Sequence, residues 1–267
     1  MKGPLSSNPK TSRHVCVRMH RQPPKRDMND KKKIIVVGSS GHARVIIDAV
    51  EREGRFLIAG IIDTFKPVGY SCLGYQVLGN ELSLPGLIRV HGISGGVIAI
   101  GDNWVRHEVA ERIRCAVPDF CFVTVIHPSA QVAQSARVSA GTVVMPGAII
   151  SANADIGEFC IVNTKASLDH DGVMGDFSSF APAVTAGGEV TIMPFAAVLL
   201  GANIIHSISI GEHSVVGAGS LVLRNVPDRV LAYGLPARVV RNRQPGEPYL
   251  RVNPGFAVSR EVVAVGK

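Results

Sequence analysis

A histidine between two aspartates, Asp169-His170-Asp171, is the most reactive arrangement of side chains in this sequence of 267 residues. Histidine titrates near neutral pH, so its ring can take a proton from an attacking amine or alcohol. A neighbouring carboxylate can orient the ring and favour its protonated form. By composition alone the same histidine could also be a solvated loop residue. Which of the two holds depends on the backbone that carries these residues.

The backbone around His170 is defined by an apolar residue at every sixth position. The series runs without a miss through Ile126, Val132, Val138, Val144, Ile150, Ile156, Val162, Leu168, Met174, Phe180, Ala186, Ile192, Val198, Ile204, Ile210, Val216 and Val222. A period of six fits neither a helix nor simple strand alternation, so the chain must turn about every six residues. Three such sides close a triangular coil, in which residues eighteen apart stack on one another.

Gly188 stacks one coil beyond His170, roughly 4.8 Å away along the coil axis at ordinary strand spacing. A glycine there leaves its backbone N–H accessible to the oxygen of a thioester, which is an oxyanion-hole position. Gly187 and Gly188 could instead simply make a sharp corner. The sequence therefore predicts a proton acceptor and a main-chain donor on adjacent coils.

A compact α/β unit precedes the coil. Residues 33–38 predict a buried strand, residues 38–42 (GSSGH) a glycine-rich turn, and residues 43–52 a helix; a second strand over 56–62 ends at Asp63. This order is typical of α/β folds that hold nucleotides, because helix N-terminal amides face a phosphate and the acid can accept from a hydroxyl or base. The motif lacks GxGxxG, and its glycines could merely permit a tight turn.

A further buried strand is predicted over 96–101, followed by a helix from Trp104 to Cys115 that opens with an Asp102-Asn103 cap. The ends of the two parallel strands, at Gly38 and Gly101, are expected to flank one crevice.

Charge and cysteine usage restrict the class of protein. The formal net charge is +7, but residues 1–33 carry ten Lys or Arg against two Asp, so the remainder is close to neutral. This argues against nucleic acid as a partner, since a binding face would have to be basic. The five cysteines include no CxxC pair, which suits a reducing cytoplasm. No apolar run reaches eighteen residues, so no membrane span is predicted.

Six segments, in order, resemble the sialic acid O-acetyltransferase and bacillosamine N-acetyltransferase family, the two-domain hexapeptide-repeat sugar acyltransferases. They are VVGSSGHARVI, IAIGDNWVR, VNTKASLDHDGVMGDFSSFAP, AGGEVTIM, VVGAGSLVLRNVPD and YGLPARVV, and they extend over about residues 33–242. The resemblance implies a Rossmann-like domain for a nucleotide sugar, then a left-handed parallel β-helix that binds acetyl-CoA between the subunits of a homotrimer. It implies acetylation of a sugar amine or hydroxyl for surface glycans.

The resemblance also implies roles for individual residues. His170 would be the general base, Asp171 would support its basicity, and Gly188 would donate to the oxyanion. The implied CoA contacts are Ser179, Leu200, Ala218 and Arg238, and the implied substrate contacts are Ser40, Gly41, His42 and Asp63. Ser179 departs from the family, whose members usually have histidine there.

The sequence divides into four predicted parts. Residues 1–32 are expected to be a disordered tail or an overlong start. Residues 33–122 form the Rossmann-like nucleotide-sugar-binding domain, residues 123–223 the β-helix acyltransferase domain, and residues 224–267 a C-terminal segment, of which residues 244–267 show no clear chemistry.

Two other classes of protein stay open on the residues alone. A trimeric carbonic anhydrase uses the same solenoid with three histidines on zinc, and the candidates would be His127, His170, His206 and His213. His170 and His206 are two coils apart, about 9 to 10 Å, whereas ligands must approach one zinc to about 2 Å. One chain cannot readily supply both, whereas the sequence leaves ligation across subunits open, and no metal is expected. A non-catalytic scaffold that only binds a nucleotide sugar is the other alternative.

Overall fold

A computed structural model describes residues 31–250. Residues 1–30 of the predicted tail and residues 251–267 of the predicted C-terminal segment lie outside the described residues. The four-part domain division stays a prediction. Within the described range, no helix is both long enough and apolar enough to cross a membrane.

A five-stranded sheet opens the described chain. Its strands are β1 Lys32–Val37, β2 Phe56–Ile62, β3 Ser71–Cys72, β4 Tyr75–Gly79 and β5 Ile93–Ile98, in the order β3-β4-β2-β1-β5. The helices are α1 Gly41–Glu53, a 3₁₀ helix Glu81–Ser83, α2 Leu84–His91 and α3 Asn103–Ala116. Strands β4, β2, β1 and β5 are parallel to one another, so their carboxyl ends meet at one edge of the sheet.

Sequence patterns located β1, α1, β2 and α3 but missed β3, β4, the 3₁₀ helix and α2. The prediction for β5 was three residues late at both ends, since the strand runs over Ile93–Ile98 and not over 96–101. Gly95 and Gly96 explain why the start of the strand was missed. They carry no apolar side chain, yet an added Cβ on either would clash with residues such as Cys121 and Ile35, so both belong to the packed strand.

The second half of the chain is the predicted left-handed parallel β-helix, built from seventeen strands of two residues each. They are β6 Val125–Ile126, β7 Gln131–Val132, β8 Arg137–Val138, β9 Val143–Val144, β10 Ile149–Ile150, β11 Asp155–Ile156, β12 Ile161–Val162, β13 Ser167–Leu168, β14 Val173–Met174, β15 Ser179–Phe180, β16 Thr185–Ala186, β17 Thr191–Ile192, β18 Ala197–Val198, β19 Asn203–Ile204, β20 Ser209–Ile210, β21 Val215–Val216 and β22 Leu221–Val222. Every strand ends on the apolar residue that the period of six predicts. Strands eighteen residues apart pair in parallel to form the three walls.

The side chains that end these strands fill the axis of the β-helix. Val162, Phe180, Val198 and Val216 stack eighteen residues apart and are fully buried. Strands β23 Val230–Gly234 and β24 Ala237–Asn242 form a hairpin that continues one wall.

Two of the three edges of the prism determine where chemistry can occur. We call the turns at 134–135, 152–153, 170–171, 188–189 and 206–207 the histidine corner, and the turns at 158–159, 176–177, 194–195 and 212–213 the aromatic corner. In both, from residue 153 onward, the second turn residue lies in the left-handed region, as Asp171 (φ 55°) and Phe177 (φ 57°) do.

Helix α3 packs on the aromatic corner. The Arg106 guanidinium, 1% exposed, donates to the carbonyls of Phe159 and Phe177, and Asn103 donates to that of Phe195. Arg106 also donates to Ile100 and Gly101, which follow β5. The α/β sheet edge is thereby attached to the aromatic corner and not to the histidine corner.

Candidate active site

His170 lies on the outside of the histidine corner, with 55% of its side chain exposed. Its Nδ1 is 2.8 Å from Oδ2 of Asp171. Because a carboxylate can only accept, Nδ1 carries the hydrogen and Nε2 keeps a lone pair. The hydrogen bond that His170 donates to Asp171, together with the negative charges of Asp169 and Glu189, raises the pKa of His170. The same bond lowers the pKa of Asp171. The ring is therefore oriented and made more basic.

Gly188 is in direct contact with this ring, and the ring covers it. A Cβ on Gly188 would lie 2.5 Å from both Cε1 and Nε2 of His170, closer than real Cβ atoms come. Only glycine permits this approach. Gly187 and Glu189 donate their N–H groups to Ile204 and His170, whereas the Gly188 N–H donates to no carbonyl of residues 31–250. A buried N–H without an acceptor is unfavourable, so this donor is poised for an oxygen that is supplied from outside.

The second oxygen of Asp171 has a partner that the sequence analysis did not identify. Asn153 Nδ2 donates to Asp171 Oδ1 over 3.2 Å. The spacing of eighteen residues was the signal that could have found this contact. His170, Asp171 and Asn153 thus form a linked set of three side chains on adjacent coils.

The N-terminus of α1 is open at the carboxyl edge of the sheet. Ser40 is its N-cap residue, but the Ser40 side chain makes no capping hydrogen bond, and the first turn contains no acid. Ser40 and Gly41 are exposed, and a Cβ on Gly41 would meet nothing within 4 Å. Unpaired N–H groups at the positive end of a helix dipole favour an anion such as a phosphate.

The side chain of His42 faces the protein from this turn. Its Nε2 is buried and has no hydrogen-bond partner among the described residues. Burial, together with the charge of Arg106, lowers the pKa of His42 to about 4, so the ring is neutral at neutral pH. The predicted substrate contact His42 is therefore a neutral ring packed against the protein and not a cation that could attract a phosphate.

Asp63, the predicted substrate contact at the end of β2, is already engaged by the protein. Its Oδ2 accepts from the N–H and the hydroxyl of Ser39, and its Oδ1 accepts from the N–H groups of Phe65 and Lys66. These four bonds lower its pKa against the effect of burial. We expect Asp63 to shape the turn before α1 rather than to contact a ligand directly. The Phe65 ring beside it is 92% exposed.

The N-terminus of α3, on the same edge, is closed. Asp102 Oδ1 accepts from the N–H groups of Trp104 and Val105, each over 3.1 Å, and Tyr249 Oη accepts from that of Asn103 over 3.2 Å. The Asp cap follows the prediction, whereas the contact from Tyr249 was missed. Of these two helices, α1 is the one that can receive an anion.

The four predicted CoA contacts do not all lie together. Leu200 and Ala218 are exposed at the third corner, eighteen residues apart on adjacent coils, and Arg238 is exposed on β24. Ser179 is buried on β15, where its hydroxyl faces the phenol of Tyr249. The structure brings Leu200 and Ala218 together but separates Ser179 from solvent. Residues 31–250 contain no group of three or more His, Cys, Asp or Glu side chains that could hold a metal.

The fold and this corner define a class of protein, the hexapeptide-repeat acyltransferases. Residues 33–113 match the family model of the PglD N-terminal domain. A mutant of perosamine N-acetyltransferase from Caulobacter crescentus, solved with CoA and GDP-perosamine, is 37% identical with a TM-score of 0.74, covering 79% of this chain and 97% of that one. The acetyltransferase domain of PglB from Neisseria gonorrhoeae, solved with acetyl coenzyme A, is 27% identical with a TM-score of 0.72, covering 79% and 100%.

Curated relatives agree. UDP-N-acetylbacillosamine N-acetyltransferase of Bacillus subtilis is 40% identical over 115 residues, which are 43% of this chain and 51% of that protein. GDP-perosamine N-acetyltransferase of Escherichia coli O157:H7 is 30% identical over 137 residues, which are 51% of this chain and 53% of that protein. The chain spans about half the length of these two curated relatives. It belongs to the family of sugar N-acetyltransferases with a hexapeptide-repeat β-helix, as the sequence resemblance predicted.

Proposed function

We propose that this protein transfers the acetyl group of acetyl-CoA to an amine of a nucleotide-linked amino sugar. The observation that carries the proposal is the contact between the His170 ring and Gly188 on an exposed edge, with Asp171 bound to the far ring nitrogen. The open N-terminus of α1 supports a phosphate-containing substrate. Relatives solved with CoA and GDP-perosamine or with acetyl coenzyme A support both substrates.

In the proposed reaction the sugar amine attacks the thioester carbonyl while His170 Nε2 takes the proton from the amine nitrogen. The carbonyl oxygen becomes an oxyanion, and the N–H of Gly188 donates to it. The C–S bond then breaks, and the CoA thiolate takes up the proton that His170 holds. The products are an N-acetyl sugar and CoA, without an acyl-enzyme intermediate. Asp171 stabilises the imidazolium between the two proton transfers.

Release of the CoA thiol measures this activity. We expect acetyl-CoA to be consumed with one of the GDP-, UDP- or dTDP-linked 4-amino sugars and not with free sialic acid. His170→Ala should reduce turnover by about 10² to 10⁴, the usual contribution of a general base. The exposed position of His170 means that folding should be unaffected, which circular dichroism can check. Turnover near that of the wild type would exclude His170 as the base.

We infer that the working assembly is the homotrimer that the family resemblance implies, because one chain does not join its two half-sites and a neighbouring chain must complete the site. The sheet edge is attached to the aromatic corner through Arg106, whereas His170 lies on the next edge. One wall of the prism, about six residues, separates these edges by roughly 15 to 20 Å. A neighbouring chain must then present its crevice to His170.

Reduced, unpaired cysteines such as Cys72 and Cys115 support a cytoplasmic location.

Mixing two inactive variants tests this arrangement. Gly41→Glu places a negative charge in open space at the N-terminus of α1, where it repels a phosphate, and Gly41→Ala is the matched control. Random co-assembly of His170→Ala with Gly41→Glu in a cyclic trimer should restore about a quarter of the wild-type rate, because each mixed trimer contains one intact shared site. A site within one chain would give no recovery. Light scattering should report three chains per particle.

A further inference from the structure

We propose that Asn153 is a positioning residue of the active site, whose amide holds the Asp171 carboxylate facing His170; this inference rests on the function proposed above. One oxygen of Asp171 accepts from Asn153 Nδ2 over 3.2 Å, and the other is 2.8 Å from His170 Nδ1. With both oxygens engaged, the carboxylate is held at both ends. It cannot turn away from the ring without breaking one of the two bonds.

Asn153 is itself fixed in place by the coil. It adopts φ 59°, in the left-handed region where asparagine is among the few tolerated residues with a side chain. Its backbone N–H donates to the Ser135 hydroxyl one coil earlier, over 3.0 Å. The N–H of Asp171 donates to the carbonyl of Ala152, the residue before Asn153. The two turns are thus tied together by their backbones, and the amide reaches Asp171 from a defined position.

The need for such a donor follows from the charges at the histidine corner. The groups that face His170 are Asp169 and Asp171 on its own turn and Glu189 on the next coil. Glu189 is held by the Ser207 hydroxyl over 2.8 Å. Three carboxylates around one exposed ring repel one another, and they compete for its N–H. A neutral amide that binds Asp171 from the opposite side selects which of them orients the ring.

Two substitutions of Asn153 should shift the pKa of the His170 ring in opposite directions. Asn153→Gly removes the donor and tolerates φ 59°, so Asp171 is released and the pKa of His170 should fall toward its ordinary value. Asn153→Asp keeps the shape but places a further negative charge beside Asp171, so the pKa of His170 should rise. A purely structural residue would not move this pKa in opposite directions. Titration of the His170 ring by NMR in the full chain measures it without any substrate.

The kinetic counterpart is a loss in kcat with little change in KM, because the ring is displaced and no substrate contact is lost. Asn153→Gly should reduce kcat by about threefold to tenfold, the share of one exposed hydrogen bond. The acid limb of the pH profile of kcat should move to lower pH in Asn153→Gly and to higher pH in Asn153→Asp. Leu73→Gly is the control, since Leu73 adopts a similar conformation (φ 47°) in the β3–β4 hairpin. It should leave the His170 titration unchanged.

The outcomes separate this inference from the proposed function. An unchanged pKa of His170 in both Asn153 variants, or a shift of the same sign in both, would overturn the role of Asn153 while leaving acetyl transfer by His170 intact. Full activity of His170→Ala would overturn the proposed chemistry, yet the NMR titration would still report whether Asn153 orients the pair. Opposite shifts in the pKa of His170, together with a loss in kcat, support both the role of Asn153 and the proposed acetyl transfer.

Discussion

The histidine corner and the aromatic corner have the same backbone and opposite surroundings. At the aromatic corner the rings of Phe159, Phe177, Phe195 and His213 stack with centroids 4.6 to 5.4 Å apart and planes within 7° of parallel. At the histidine corner the equivalent positions carry polar residues, which are exposed. Each corner residue projects from the coil in the same way. The difference is that α3 covers one corner and leaves the other uncovered.

Carbonyls without a donor explain why a charged residue, Arg106, is buried at the aromatic corner. The coils use the carbonyl of each first turn residue for the next coil, as when Glu189 donates to His170. The carbonyls of the second turn residues, such as Phe159 and Phe177, are left without a donor from the β-helix. Where α3 excludes water, the protein must supply that donor, and Arg106 does so. At the histidine corner solvent can fill the same need.

Removing Arg106 should have the largest effect. Arg106→Met would leave several carbonyls unpaired under α3, and we expect a loss of about 4 to 5 kcal/mol in the free energy of unfolding. Arg112→Met is the matched control on the same helix. Arg112 is half exposed, and among residues 31–250 it pairs only with Glu81. That change should cost less than about 1 kcal/mol. Urea unfolding followed by fluorescence measures both. Equal stability of the two variants would show that α3 is not anchored through these carbonyls.

Shortening the aromatic ladder should be the next largest change. Phe177 is buried between Phe159 and Phe195, so Phe177→Ala should destabilise the protein by about 3 kcal/mol through lost burial and a cavity. Glu189→Ala, at the equivalent place on the uncovered corner, should change stability by less than about 0.5 kcal/mol. The same urea experiment compares them. A similar cost at both corners would mean that coverage by α3 does not distinguish them.

Gly188→Ala should act on chemistry instead of stability. The new Cβ would lie 2.5 Å from both Cε1 and Nε2 of His170, so the exposed ring must swing aside. We expect a loss of about 10²-fold in kcat, equivalent to about 2.7 kcal/mol of transition-state stabilisation, with the urea midpoint unchanged. Gly86→Ala is the matched control, because a Cβ at Gly86 in α2 would meet nothing within 4 Å. Wild-type kcat in Gly188→Ala would show that the contact between the His170 ring and Gly188 plays no part in catalysis.

Sequence alone predicted the β-helix strand by strand because one physical rule, an apolar side chain at the axis in every turn, acts in every coil. The α/β unit obeys no such repeat. Strand β5 was misplaced because Gly95 and Gly96 pack through their backbones and give no apolar signal. The short strands β3 and β4 depend on a hairpin at Gly74 (φ 84°) rather than on periodicity.

The candidate site was predicted in part for a similar reason. Stacking by eighteen placed Gly188 against His170, and the same rule applied to Asp171 would have located Asn153. Other features depend on contacts between distant parts of the chain. The two bonds from Ser39 to Asp63 and the burial of Ser179 near Tyr249 follow from how distant segments pack, which no local spacing encodes.

Asp171→Asn gives the smallest effect and the sharpest view of the histidine corner. Asparagine tolerates φ 55°, so the fold should persist. Asp171 raises the pKa of His170, so in the wild type the neutral, active ring should be lost on acidification with a midpoint above about 6.5. Without the carboxylate the midpoint should fall and kcat on the alkaline plateau should drop about tenfold, since a less basic ring accepts the proton less readily. An unchanged pH profile would mean that the hydrogen bond between Asp171 and His170 does not operate during turnover, whatever its geometry.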